Sequence, residues 1–88
     1  MKFNFDNNRP IYIQLVEQIR ILILFGYFKL GDRLPSVREF AFIAKVNPNT
    51  VQKALQELED EKLIYTDRTN GKYITDDKNL IIELFWIM

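Results

Sequence analysis

Residues 45–58, KVNPNTVQKALQEL, decide how this chain folds. Asn47 predicts an N-cap, and Pro48 a first helical position, where a residue without an N–H leaves no donor unpaired. Val51, Ala54, Leu55 and Leu58 then recur at spacings of three, four and seven, which predicts one buried helical face. Asn49, Gln52, Lys53 and Gln56 repeat those spacings on the opposite, polar face. Asn47, Asn49 and Thr50 crowd the first turn, and no acid follows until Glu57. One cap suffices for a helix, and asparagine and threonine are indifferent helix formers, so Asn49 and Thr50 need another reason. A helix N-terminus that is short, polar and free of acid is suited to facing phosphates, which its dipole attracts.

Upstream, PSVREFAFIA (35–44) carries a capping box. Ser36 can accept from the N–H of Glu39, and the Glu39 carboxylate can accept in return from the N–H of Ser36. Val37, Phe40, Ile43 and Ala44 give this short helix an inner face, and Lys45-Val46 makes a tight connection to the next. Two short helices joined in this way, the second polar outside, read as a helix-turn-helix. Further upstream, Pro10 opens a helix expected over 10–26, with Ile11, Leu15, Ile19, Leu22 and Ile23 at helical spacing and a stop near Gly26. In GYFKLGDRLP (26–35), Gly31-Asp32 reads as a turn and Arg33-Leu34 as a very short strand. Downstream, LIYTD (63–67) alternates, Asn70-Gly71 signals a tight hairpin turn, and KYIT (72–75) supplies the return strand. A hairpin behind such a helix is a wing. The expected fold is therefore mainly α with a small β wing: a winged helix-turn-helix of three core helices plus a β-hairpin, followed by the start of a C-terminal helix. We expect the DNA-binding domain over 9–75 and the helix start over 76–88.

Eighty-eight residues suit one compact domain, and an apolar share of 48% favours folding over disorder. The absence of Cys excludes disulfides and thiolate metal sites, and the absence of His removes the commonest general base. No paired carboxylates, nucleophile motif or glycine-rich phosphate loop is evident, so an enzyme is a weak reading and no cofactor is expected. Neither a targeting signal nor a membrane span stands out, and a cytoplasmic protein without a membrane role is the expectation. Formal net charge is zero, yet it averages over patches. From Arg33 to Gln56, Arg33, Arg38, Lys45 and Lys53 stand against Glu39 alone, four minus one, or plus three. An acidic block follows at Glu57, Glu59, Asp60 and Glu61, read as a solvated helix end pointing away from any polyanion.

These phrases in this order, PIYIQLVEQIR, GDRLPSVREFA, NPNTVQKALQELE and LIYTDRTNGKYI, resemble the winged-helix domain of the GntR family of bacterial transcription regulators. The resemblance spans Arg9 to Thr75. The Asn-Pro-Asn-Thr form looks most like the YtrA-type branch, whose members attach a short helical dimerisation segment. What the resemblance implies is DNA contact by Arg38, Asn47, Asn49, Thr50, Gln52, Lys53 and Gly71. The family commonly has glycine where Lys62 stands, which implies a positive φ there. Many relatives carry arginine at the position of Gln52, so no base preference is carried over.

Each candidate has a plainer role to set beside its DNA role. Asn47 and Ser36 are explained as caps, and Asn70-Gly71 as a turn. Asn49 and Gln52 are the candidates for base reading, because a carboxamide can bond the adenine edge in bidentate fashion. Lys45 and Lys53 lack counter-charges in sequence and are assigned to phosphate, and Arg38 can fork onto phosphate or guanine. Arg68 and Lys72 flank the wing tip and are assigned to the minor groove or its phosphates. The tail LIIELFWIM (80–88) is too short to span a membrane and too apolar for a free end, so burial against a second copy is expected. The function expected is a sequence-specific DNA-binding transcription regulator, a repressor acting as a homodimer through its C-terminal helix on an inverted-repeat operator. A small-molecule effector is left open. The rival is a winged-helix protein-protein interaction module without DNA binding.

Overall fold

The computed structural model describes residues 1–87. Met88, the end of the expected C-terminal segment, lies outside the described residues. The elements are α1 (Ile11–Leu24), α2 (Val37–Ala44), α3 (Pro48–Asp60), β1 (Ile64–Asp67), β2 (Gly71–Ile74) and α4 (Lys78–Ile87). This is the expected winged helix. One face of each helix builds the core: Leu15, Val16, Ile19 and Ile23 from α1, Phe40, Ala41 and Ala44 from α2, and Val51, Ala54, Leu55 and Leu58 from α3. Leu63, Ile64 and Ile74 bring the hairpin onto it. Ile43, expected inside, is instead exposed on the α2 surface, and Ala41 takes the inner position.

α1 starts one residue after Pro10, which serves as the N-cap without a side-chain bond. Three helix ends close alike, with the N–H after a left-handed residue donating five residues back. Tyr27 donates to the Leu22 carbonyl at 2.9 Å, Val46 to Ala41 at 3.1 Å and Leu63 to Leu58 at 3.0 Å. Gly26, Lys45 and Lys62 hold the left-handed position, with φ of 81°, 58° and 65°. Glycine takes it without strain, whereas a Cβ costs about 1 kcal/mol or more. Lys62 thus has the positive φ expected of it, and Lys45 has the same conformation where the sequence showed only a tight connection.

The hairpin is antiparallel, pairing Ile64 with Ile74, Tyr65 with Tyr73, Thr66 with Lys72 and Asp67 with Gly71. Its connection is Arg68–Asn70, three residues, in place of a two-residue Asn70-Gly71 turn. The Asp67 carboxylate explains the difference: it accepts from the N–H of Thr69 at 3.0 Å and its hydroxyl at 2.9 Å, which closes the turn earlier. Gly71 then opens β2 at φ 103°, a backbone only glycine accepts easily. Arg33 bridges to Tyr73, the very short strand foreseen at Arg33-Leu34.

Residues 1–8, outside the expected domain, pack as part of it. Phe3 and Phe5 lie against the core, and the Phe3 ring centroid is 5.6 Å from that of Phe40. The buried Gln14 ties this segment down. Its amide donates to the carbonyls of Asp6 at 3.0 Å and Arg9 at 2.8 Å, and its oxygen accepts from the N–H of Asp6 at 3.0 Å. Downstream, Asp77 stands just before α4 and accepts from the N–H of Asn79 at 2.9 Å. α4 packs on α1, with Leu84 buried in the core and Leu80 and Ile81 partly covered.

Candidate nucleic-acid interface

Both caps form as the residue types dictate. Ser36 Oγ accepts from Glu39 N–H and Glu39 Oε1 from Ser36 N–H, each at 3.1 Å. The Ser36 N–H, then its hydroxyl, holds the Glu39 carboxyl below its ordinary range, with a smaller attraction from Arg33. Asn47 Oδ1 accepts from Asn49 N–H at 2.8 Å. Asn47 and Ser36 are thus engaged locally, as their plainer reading has it.

Beyond the cap, α3 turns Asn49, Gln52, Lys53 and Gln56 outward, while the other side of the helix is fully buried. Thr50 is half-buried between the two faces. Asn49 and Gln52 make no side-chain hydrogen bond among the described residues, so both carboxamides keep their donors and acceptors. The Lys53 ammonium lies 4.0 Å from the Tyr12 ring centroid, a cation–π contact that holds it beside α1 without pairing it to a carboxylate.

Charge divides clearly. Among the described residues, the cations paired with a carboxylate are Arg9 with Glu17, Arg20 with Glu61, and Lys72 with Glu59. Arg38, Lys45, Lys53 and Arg68 are exposed and form no ion pair among them. The acidic block is therefore more than a solvated end. Glu61 binds Arg20 of α1, and Glu59 accepts from the Lys72 ammonium at 3.0 Å and from the Thr66 hydroxyl. Asp60 accepts from Gln56 at 3.1 Å. The C-terminal end of α3 thus clamps α1 and the wing, while its N-terminal end stays free of acid.

Among the candidate cations, Lys72 is engaged within the fold, by Glu59 and Thr66. Its pairing partner Thr66 shares its face of the hairpin, and that face looks at Glu59. A strand alternates faces, so neighbouring Gly71 and Tyr73 lie on the other side with Arg33. Arg33 is the residue that sequence reasoning left out of the site. Its Nε and Nη2 lie 3.5 Å from where a Gly71 Cβ would stand. The signal available was its membership of the plus-three stretch; its approach to the wing depends on the bridge to Tyr73. Among the described residues no cluster could hold a metal ion, and no helix is long and apolar enough to cross a membrane.

Known proteins share this arrangement. The chain is 49% identical over 78 residues to the HTH-type transcriptional repressor YtrA of Bacillus subtilis, covering 88% of this chain and 60% of that protein. It thus spans well under the full length of that relative. A GntR family transcriptional regulator from Listeria monocytogenes superposes with a TM-score of 0.92 at 47% identity, over 94% of this chain and 73% of that one. A transcriptional regulator from Oenococcus oeni does so with a TM-score of 0.86 at 38% identity, over 97% and 71%. The family model described as bacterial regulatory proteins, gntR family, matches residues 11–74, from the start of α1 to the end of β2. With the fold, the polar face of α3 and the wing in register, the chain belongs to the GntR family of bacterial regulatory proteins.

Proposed function

We propose that this chain is the DNA-binding part of a transcription regulator, a repressor that binds an inverted-repeat operator as a homodimer. The observation that carries this reading is the outward row Asn49, Gln52, Lys53 and Gln56 on a helix whose reverse side is core. Similarity to a protein named as a transcriptional repressor supports it. The N-terminal end of α3 enters a major groove, Asn49 and Gln52 meet base edges, and Arg38, Lys45, Thr50 and Lys53 meet phosphates. The wing, through Gly71 and Arg68, lies on the flanking backbone. Residues 9–75 form the DNA-binding domain, with residues 1–8 packed onto it, and 76–88 begin a dimerisation helix. The protein works in the cytoplasm without catalysing a reaction.

The test is titration of a duplex library at two salt concentrations. A regulator retains duplexes at low salt and loses them with a log–log slope near ~0.9 per phosphate contacted. Retention of no duplex at low salt overturns the proposal and leaves a protein-interaction winged helix.

A further inference from the structure

The hairpin register turns Lys72 toward Glu59 and puts another cation on the opposite face of the wing. Segment 31–34 runs along the free edge of β2. Leu34 N–H donates to the Lys72 carbonyl at 2.8 Å, Ile74 N–H to the Asp32 carbonyl at 2.8 Å, and Gly31 N–H to the Ile74 carbonyl at 3.2 Å. This places Arg33 opposite Tyr73, and residues directly opposite in a ladder share a face. Gly71, two residues before Tyr73, lies on that face too, and the Arg33 guanidinium borders it, with Nε and Nη2 3.5 Å from where a Cβ on residue 71 would stand. The arginine thus packs beside the first residue of β2 on the face of the hairpin opposite Lys72. Arg33 is exposed and forms no ion pair among the described residues. The carboxylate that feels it, on Glu39, is bonded to the Ser36 N–H.

We propose that Arg33, packed beside Gly71, is a further phosphate contact of the wing, in the role the sequence assigns to Lys72. The inference rests on the DNA-binding reading above and deepens it. A guanidinium presents paired N–H donors that match phosphate oxygens, and here the backbone that carries it is fixed by pairing with β2. The contact carries no base information. It therefore adds to affinity on every duplex equally and contributes one phosphate to the salt dependence. Lys72, in contrast, acts by holding the hairpin to α3.

The test compares the full chain with Arg33→Gln and Lys72→Gln, using duplexes selected from a random pool and unselected duplexes, over a salt series, with thermal melting alongside. Arg33→Gln should lower the log–log salt slope by ~0.9 and weaken selected and unselected duplexes by the same factor. Lys72→Gln should lower the melting temperature and leave the slope as in the parent. An unchanged slope in Arg33→Gln, a loss confined to selected duplexes, or a slope reduced only by Lys72→Gln would each overturn the assignment. Should Arg33→Gln melt early, Arg33→Lys keeps the charge and is expected to keep the slope; a slope as low as that of the glutamine variant refutes the proposal. Failure of the parent chain to retain any duplex at low salt is a separate outcome, which removes the DNA-binding reading itself.

Discussion

Lys45 and Lys62 occupy the same left-handed position at the ends of α2 and α3, and a lysine is a poor choice at either. Removing the Cβ relieves strain of about 1 kcal/mol. Lys62 adjoins the acidic end of α3, whereas Lys45 adjoins the first turn that we place at DNA. Lys62→Gly should therefore raise the unfolding free energy by about 1 kcal/mol and leave duplex affinity unchanged. Lys45→Gly should stabilise by a similar amount and weaken binding to all duplexes alike. Chemical denaturation and duplex titration on the two variants separate these effects. Equal affinity loss in both would show that left-handed lysines, whatever their position, matter to binding. At Asn49 and Gln52 the expectation concerns discrimination: the double alanine variant should lose ~1–3 kcal/mol of preference for selected over unselected duplexes per bidentate contact removed.

Among the elements, α3 has two ends with opposite duties, and its clamps set a pH dependence. Burial pushes the Glu59 carboxyl up, but the Thr66 hydroxyl and the Lys72 ammonium, by bonding and by charge, outweigh it and leave Glu59 below its ordinary 4.5. A carboxyl depressed in the folded state binds its proton more readily when unfolded. Its stabilisation is therefore complete above the unfolded value and fades as pH falls below 4.5 through the folded one. Melting temperature should drop on acidification across that window, and Glu59→Gln should flatten this fall while lowering stability near neutral pH by ~1–2 kcal/mol. An undiminished acid dependence in the variant would assign it to other carboxylates. At the other side of the core, Gln14→Ala removes three bonds to the N-terminal segment, and we expect ~1–3 kcal/mol lost in equilibrium unfolding.

For the molecule as a whole, α4 buries Leu84 in the core and leaves Ile82, Phe85 and Trp86 exposed, the last at 81%. Ile21 of α1 and Phe25 and Leu30 just after it are exposed as well. The homodimer we propose covers the exposed side chains of α4. Phe85→Asp with Trp86→Asp should shift sedimentation from dimer to monomer and weaken a two-half-site duplex far more than a single half-site. It should leave the monomer fold intact by circular dichroism. Half-sites recovered from selection should lie about 10–10.5 base pairs apart, centre to centre, or a multiple of it.

Local rules made much of this fold readable from the chain. The capping box at Ser36 and Glu39, the Asn47-Pro48 helix start and the two faces of α3 depend on residues within one to seven positions. The hydrophobic period alone separates Val51, Ala54, Leu55 and Leu58 from Asn49, Gln52, Lys53 and Gln56. Even the positive φ at Lys62 could be expected from the residue type that relatives place there. The hairpin turn was less legible, because an Asn-Gly pair competed with Asp67, and side-chain bonds of the aspartate to Thr69 moved the turn back.

Tertiary structure alone decided which charges are free. Arg20 meets Glu61 across 41 positions, and Lys72 meets Glu59 across 13, because helix packing and strand register bring them together. No local pattern distinguishes Lys72 from Lys53, or Gln14 from an exposed glutamine. Whether a cation faces a carboxylate or water depends on neighbours distant in sequence. The chain by itself determined a winged helix with an acid-free recognition turn; the packing selected, among its lysines and arginines, those left to meet a partner.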